Sequence, residues 1–234
     1  MEHTHPRNSL LLNSIRTAIC GGVFLTQAHA ALVINEVDYD QPGTDQGEFI
    51  ELFNSGTDDI LLDGVTLDLI NGTNGSAYRS FDLAGLTIGA DAYLVLCDGA
   101  SSVVNCNLEV SASAGWLQNG GSSDGDAVAL YSNGLLVDSM VYEAIGSNLG
   151  PFAEGGTSAG EDSNSEILSL SRLPNGGDTD DNGFDFGAGC LTPGAANSGG
   201  SGDCSIAPPV PLPAAFWLFG SGLLALLGIS TKRS

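Results

Sequence analysis

The chain has 234 residues, 6 Lys+Arg and 28 Asp+Glu, a formal net charge of −22. It is long enough for one or two domains, and an apolar content of 42 % suits a folded core rather than disorder. Few charged residues (15 %) and 33 Gly favour a loop-rich β protein, because Gly weakens helix interiors.

The positions of the basic residues exclude most chemistry. Arg7 and Arg16 lie near the start, Lys232 and Arg233 at the end, and His3, His5 and His29 all fall within the first thirty residues. Between the ends only Arg79 and Arg172 stand against 27 carboxylates, a formal charge near −25. That body has no Ser-His-Asp or Cys-His arrangement, no histidine zinc site and no phosphate-loop lysine. It repels polyphosphate backbones, so a nucleic-acid partner is not expected.

Residues 1–30 read as a secretory signal peptide: Arg7 and Arg16 as the positive region, Ile15 to Leu25 as a short apolar stretch, then Ala28-His29-Ala30 as the small-x-small site of signal peptidase. Cleavage leaves Ala31 as the new N-terminus. An uncleaved anchor is the alternative. A lipoprotein reading through Cys20 is weakened by the bulky Ile19.

At the other end, residues 210–234 open with Val210-Pro211-Leu212-Pro213-Ala214-Ala215. Phe216 to Ile229 follows without a charge, then Lys232-Arg233. From Ala214 the apolar run is about sixteen residues, at the short limit for one transmembrane helix. The basic pair keeps its side cytoplasmic and leaves the body outside. This order resembles the PEP-CTERM sorting signal in its VPLPA variant. The resemblance implies a Gram-negative bacterium and recognition by exosortase, a membrane protease-transpeptidase. It also implies an inner-membrane intermediate, then a cell-surface or extracellular product, often beside exopolysaccharide. Pro211 and Pro213 hold the segment extended, as a protease requires.

In the body, strands are expected at Leu32–Val37, Glu48–Phe53, Val65–Leu69, Ala77–Phe81, Leu86–Ile88, Tyr93–Leu96, Ala127–Tyr131, Leu135–Tyr142 and Ile167–Ser171. Asn133-Gly134 between apolar runs predicts a hairpin. No stretch carries a helical period, so the pattern is a sandwich or barrel. Cys97, Cys106, Cys190 and Cys204 allow three pairings. The sequence-near one, Cys97–Cys106 and Cys190–Cys204, is expected; a redox or metal cluster lacks any CxxC spacing.

Several segments in one order resemble the lamin-tail domain. They are Leu32-Val33-Ile34-Asn35-Glu36-Val37, Gly47 to Asn54, Leu62 to Leu67, Gly125 to Tyr131 with Asp138, Ser171-Arg172-Leu173-Pro174, Asp178 to Asn182 with Asp185-Phe186, and Thr192 to Asn197. They span roughly 165 residues. The resemblance implies an all-β, immunoglobulin-like β-sandwich over residues 31–197 that binds or scaffolds and has no catalytic set to transfer. The stretch from Gly99 to Ser123 is an insertion relative to a compact version. A Gly/Ser/Pro linker is expected at residues 198–209.

Three groups are candidates for chemistry. Asp178, Asp180, Asn182 and Asp185 resemble the front half of a calcium loop, with Gly183 at the turn, but position 12 is Gly189 where a bidentate Glu belongs. Calcium is thus the one cofactor the pattern allows, beside an Asx-turn reading without metal. Glu48 and Glu51, with Asp40 and Asp45, form a second acidic group. The two glutamates point to opposite strand faces and make a poor acid–base pair; Glu48 is expected solvated and Glu51 against backbone or Arg. Arg172 is expected to pair with the Asp178–Asp181 run. Tyr93, Tyr131 and Tyr142 suit packing better than a sugar platform. The reading is therefore an exported, non-enzymatic surface or matrix module with exosortase, signal peptidase and exopolysaccharide or matrix components as partners. A calcium-dependent adhesin and a hydrolase of surface polymers are its alternatives.

Overall fold

In the computed structural model the described residues are Met1, 31–99, 103–111, 113, 115–120, 124–143, 149–162, 164–199 and 204. The signal segment with Ala28 and Ala30, and the sorting motif from Val210 to Ala214, lie outside them. Among the described residues no helix is long and apolar enough to cross a membrane.

The expected strands are present, with their ends moved by at most two residues: β1 (Leu32–Asp38), β2 (Phe49–Asn54), β4 (Val65–Asn71), β5 (Ser76–Asp82), β6 (Thr87–Ile88), β7 (Ala92–Asp98), β9 (Asp126–Ser132), β10 (Leu135–Tyr142) and β11 (Ser169–Arg172). Four short ones were not foreseen: β3 (Ile60–Leu61), β8 (Leu108–Ser111), β12 (Phe186–Cys190) and β13 (Ser198–Gly199). Each is too short or too glycine-rich to show a period of two. Among the described residues helix is confined to a 3-10 turn at Glu154–Gly156 and to α1 (Asn182–Asp185).

The larger sheet has the order β13-β12-β11-β1-β2-β7-β8, and the smaller β10-β9-β4-β5. Strands β3 and β6 form a separate pair. In β4, Val65, Leu67 and Leu69 face the core while Thr66 and Asp68 stay partly exposed. That alternation marks a sheet with one solvated face. Strands β1 and β2 are buried at every position, so the larger sheet is covered on both faces. Ile34, Val37, Ile50, Leu52, Leu94 and Leu96 point inward to Leu67, Leu69, Val128, Leu130 and Met140, which makes a β-sandwich. Phe49, Val95 and Cys97 point outward beneath Val103, Cys106 and Leu191.

Asn133 (φ 51°) and Gly134 (φ 78°) join β9 to β10 with both residues left-handed, the geometry of a type I′ hairpin turn. The Gly99–Ser123 insertion adds β8 parallel to β7 at the sheet edge, and the Cys97–Cys106 disulfide closes that connection. The expected linker begins later than residue 198: Ser198 pairs with Cys190 in the sheet, and Cys204 is bonded to Cys190.

Candidate functional site

Strand β11 ends at Arg172, which pairs with Phe186 of β12. This position sends one of the body's two arginine side chains into the interior, where it is wholly buried. Its Nε donates to the Ile34 carbonyl (2.8 Å) and Nη2 to Asp138 Oδ1 (2.8 Å). Its Nη1 serves Asp185 Oδ2 (3.0 Å), the Gly177 carbonyl (3.0 Å) and Asp178 Oδ1 (3.3 Å). The Phe186 ring lies 4.5 Å from Cζ. Planar donors on a fixed fork suit this many convergent acceptors, which an ammonium does not. Asp138 also accepts from the Ile34 amide (2.6 Å), so one carboxylate ties both sheets to the guanidinium.

This hub accounts for the calcium-like run. Asp178 and Asp185 give their oxygens to Arg172, and Asp185 accepts further from Thr179 N (2.8 Å) and Oγ1 (2.7 Å). Asn182 is turned inward, its amide oriented to donate to the Ser139 carbonyl and accept from Glu154 N, both at 2.9 Å. Asp180 is exposed at φ 57° and its amide closes an Asx turn on Asp178 (3.2 Å). The cation that this run embraces is the protein's own guanidinium. The carboxylates with oxygens within 4.8 Å of one another are instead Asp138, Glu154 and Asp178. Burial, then Asp138 and Asp178, push Glu154 up to about 8, against the pull of Arg172. The ion pair expected with the Asp178–Asp181 run is present at Asp178, which is half-buried, and the same guanidinium also pairs with the buried Asp138 and Asp185.

On the outer face of the larger sheet, the segment Thr192–Asn197 is held by residues of β1 and β2. Glu36 accepts from Ser169 Oγ (2.6 Å), Thr192 N (2.9 Å) and Thr192 Oγ1 (2.8 Å). Glu51 accepts from Asn35 Nδ2 (2.7 Å) and Gly194 N (2.6 Å). Asn197 Nδ2 donates to the Asn35 carbonyl (2.9 Å) and Asn175 Nδ2 to Tyr93 Oη (3.2 Å). Polar side chains thus fasten this segment to β1 and β2.

At the ends of β1 and β10, Tyr39 stacks on Tyr142 with ring centroids 4.3 Å apart. Tyr39 Oη donates to Glu143 Oε1 (2.9 Å) and accepts from Asp162 N (2.7 Å). Glu48 opens β2 at this end. It is not solvated as expected but has no exposed surface; Oε2 accepts from Trp116 N (2.7 Å) and Leu117 N (3.4 Å). The two glutamates do face opposite ways, Glu48 to Trp116 and Glu51 to Gly194. A shallow groove of about 230 Å³ beside the Cys97–Cys106 loop is lined by Gln41, Gln46, Phe49, Val104, Leu191 and Pro193, with no carboxylate pair. The three tyrosines make no platform: Tyr142 is buried, Tyr93 stacks on Phe53 (4.7 Å), and Tyr131 packs on the outer side of the smaller sheet.

The family model described as Lamin Tail Domain matches residues 26–144, just over half of the chain. The chain belongs to the Lamin Tail Domain family. The match runs through β10 and stops short of β11, β12 and the Thr192–Asn197 segment, which nonetheless complete the lamin-tail sandwich through Arg172, Glu36 and Glu51. No curated protein matches the chain. Among solved structures, a DUF4876 family protein from Bacteroides thetaiotaomicron aligns at 10 % identity and a TM-score of 0.39. That alignment covers 61 % of this chain and 62 % of the other, so the chain spans less than two thirds of that protein's length. Two features of this lamin-tail protein escaped the sequence reading, the Asp138 partnership and the buried Glu48. Only the alternation of β2, which puts Glu48 on the side of Ile50 and Leu52, signalled the second.

Proposed function

We propose that this lamin-tail protein is an exported, non-enzymatic module of the cell surface or extracellular matrix of a Gram-negative bacterium. The observation that carries the reading is the pairing of Cys97 with Cys106 and Cys190 with Cys204, because structural disulfides persist in oxidising compartments. The signal-peptide pattern ending at Ala30 and the VPLPA tail with its apolar run and basic pair agree with it. Signal peptidase removes the first segment. Exosortase recognises Val210–Ala214 while the apolar run holds the intermediate in the inner membrane. The carboxylates of Glu36, Glu51, Asp138 and Asp185 serve as acceptors that hold the fold together, which favours a scaffold or matrix-binding role over hydrolysis.

Intact mass spectrometry of the native mature protein tests this. The expected product starts at Ala31, lacks the segment after the sorting motif and carries two disulfides. An untrimmed, reduced product inside the cell overturns it. A second reading, a calcium-dependent binder of matrix polymer, is favoured by the oxygen of Glu48 that no donor meets.

A further inference from the structure

The groove of 230 Å³ beside the Cys97–Cys106 bridge lies between two segments, with Val103 and Val104 on one side and Leu191 and Pro193 on the other. Phe49, fully buried, forms its floor, whereas Val104 keeps 57 % of its surface exposed. None of the lining residues is charged, in a body of 27 carboxylates. Both sides are held in place. Cys106 is bonded to Cys97, and Asn105 Nδ2 donates to the Pro193 carbonyl (2.8 Å), which ties one side to the other. Gly194 N donates to Glu51 Oε2 (2.6 Å) and fixes the second side to β2. The groove is thus formed before anything enters it, so an occupant pays little for ordering its walls. Small-molecule sites occupy roughly 300–1,000 Å³. This groove is smaller and suits a few apolar side chains of a peptide.

The chain itself supplies such a peptide next to the groove. Leu191 follows Cys190, and Cys190 is bonded to Cys204 with Cα atoms 5.1 Å apart. One trans peptide spans about 3.8 Å, so the chain leaves Cys204 within about 9 Å of the Leu191 Cα. The residues that follow are Ser205-Ile206-Ala207-Pro208-Pro209, without a charge and apolar after Ser205. We propose that Ile206-Ala207-Pro208-Pro209 seats in this groove, with Ile206 between Leu191 and Val104. The two residues from Cys204 to Ile206 reach about 7 Å, enough to enter beside Leu191. So short a tether holds the segment at an effective concentration of millimolar order, so a few apolar contacts suffice. Pro208 and Pro209 keep the backbone extended before docking and lower the entropy lost on it. A neutral segment also escapes the repulsion that an acidic one would meet at this body. The seat fixes where Val210 leaves the body and so presents the VPLPA motif from one point. That consequence rests on the processing reading above. The seat itself rests on the groove and the Cys190–Cys204 bridge.

The experiment is methyl NOE spectroscopy of the full chain in lipid nanodiscs, labelled at the Ile, Leu and Val methyl groups. The expected result is a set of cross-peaks from the Ile206 methyls to those of Val104 and Leu191. Val104→Asp, at an exposed position of the groove, removes the Ile206–Leu191 cross-peaks and leaves both disulfides and the melting temperature unchanged. Ile206→Asp lies outside the body and shifts the Val104 and Leu191 methyl signals without altering the fold. A mixture of labelled and unlabelled chains separates a seat within one chain from an exchange between two copies. Absence of the cross-peaks in the unaltered chain overturns the proposal. So do cross-peaks found only between copies, which make the groove an interface for a second chain. Cross-peaks from Ile206 to Leu191 that survive Val104→Asp, or Val104 and Leu191 signals that Ile206→Asp leaves in place, overturn it equally. Tail processing is read separately from the Pro211 and Pro213 variants, so a failure of that reading leaves these cross-peaks as they are.

Discussion

Arg172 Nη2 lies 2.8 Å from Asp138 Oδ1, and neither side chain has exposed surface. The two residues come from opposite sheets, 34 positions apart in the chain. The bond therefore fixes how β11 sits over β10 as well as neutralising charge. Replacing a buried pair by apolar groups is often neutral, but removing one partner strands the other and costs about 3–5 kcal/mol. Arg172→Met is expected to lower stability by that amount in urea denaturation. Arg172→Lys recovers little of it, because one ammonium cannot reach Ile34, Asp138 and Asp185 together. A loss below about 1 kcal/mol in Arg172→Met contradicts the hub.

Stability is expected to fall as pH rises from 5 to 8.5 in the presence of EDTA. Burial pushes Glu48 up to about 7 and Glu51 up to about 8, each opposed by its hydrogen bonds. A carboxyl raised in the folded state keeps its proton there at pH values where the unfolded chain has released it. The folded state thus binds more protons between about pH 4.5 and 8, and stability declines across that window. Melting curves in a pH series read this directly. A melting temperature that climbs towards pH 8 without metal refutes the assignment.

Reduction is expected to weaken the body appreciably. The bridges close intervals of 9 and 14 residues, and loops of that size contribute roughly 2–4 kcal/mol each. Cys190→Ser with Cys204→Ser frees the end of β12, so amide exchange there quickens while that of β9 and β10 does not. Equal acceleration throughout the fold is the contrary result.

Gly176 and Gly134 separate strain from collision. Both are left-handed, at φ 65° and φ 78°. A Cβ on Gly134 meets nothing within 4 Å, whereas one on Gly176 comes 2.6 Å from Phe53 Cε1. Gly134→Ala is expected to cost about 1 kcal/mol, and Gly176→Ala about 2–4 kcal/mol as the ring is displaced. Phe53→Leu in the Gly176→Ala background recovers part of the difference. Identical losses for the two glycines count against the contact.

Processing has its own measurement. Pro211→Ala with Pro213→Ala is expected to leave a membrane-held, unprocessed form in a cell fraction, since the extended conformation is lost. Normal release of that variant removes the exosortase reading.

The strands were legible wherever one face is wet. Val65 to Leu69 shows a period of two because Thr66 and Asp68 meet water, and Asn133-Gly134 announces its turn because few other pairs adopt two left-handed conformations. Sequence-near cysteines also disclosed their pairing, since short loops close readily. β12 and β13 stayed hidden because their register depends on partners, not on their own glycines. The carboxylates were the least legible. A sequence displays Asp178, Asp180 and Asp185 as a spaced acidic run and so suggests a metal, but cannot show that Arg172 reaches Asp178 and Asp185 from β11. Nor can it show that Glu48 loses its water under Trp116. Local chemistry determined the class of fold and the charge balance. Which charges meet which was decided by packing alone, because an ion pair across two sheets depends on distances that no spacing along the chain records.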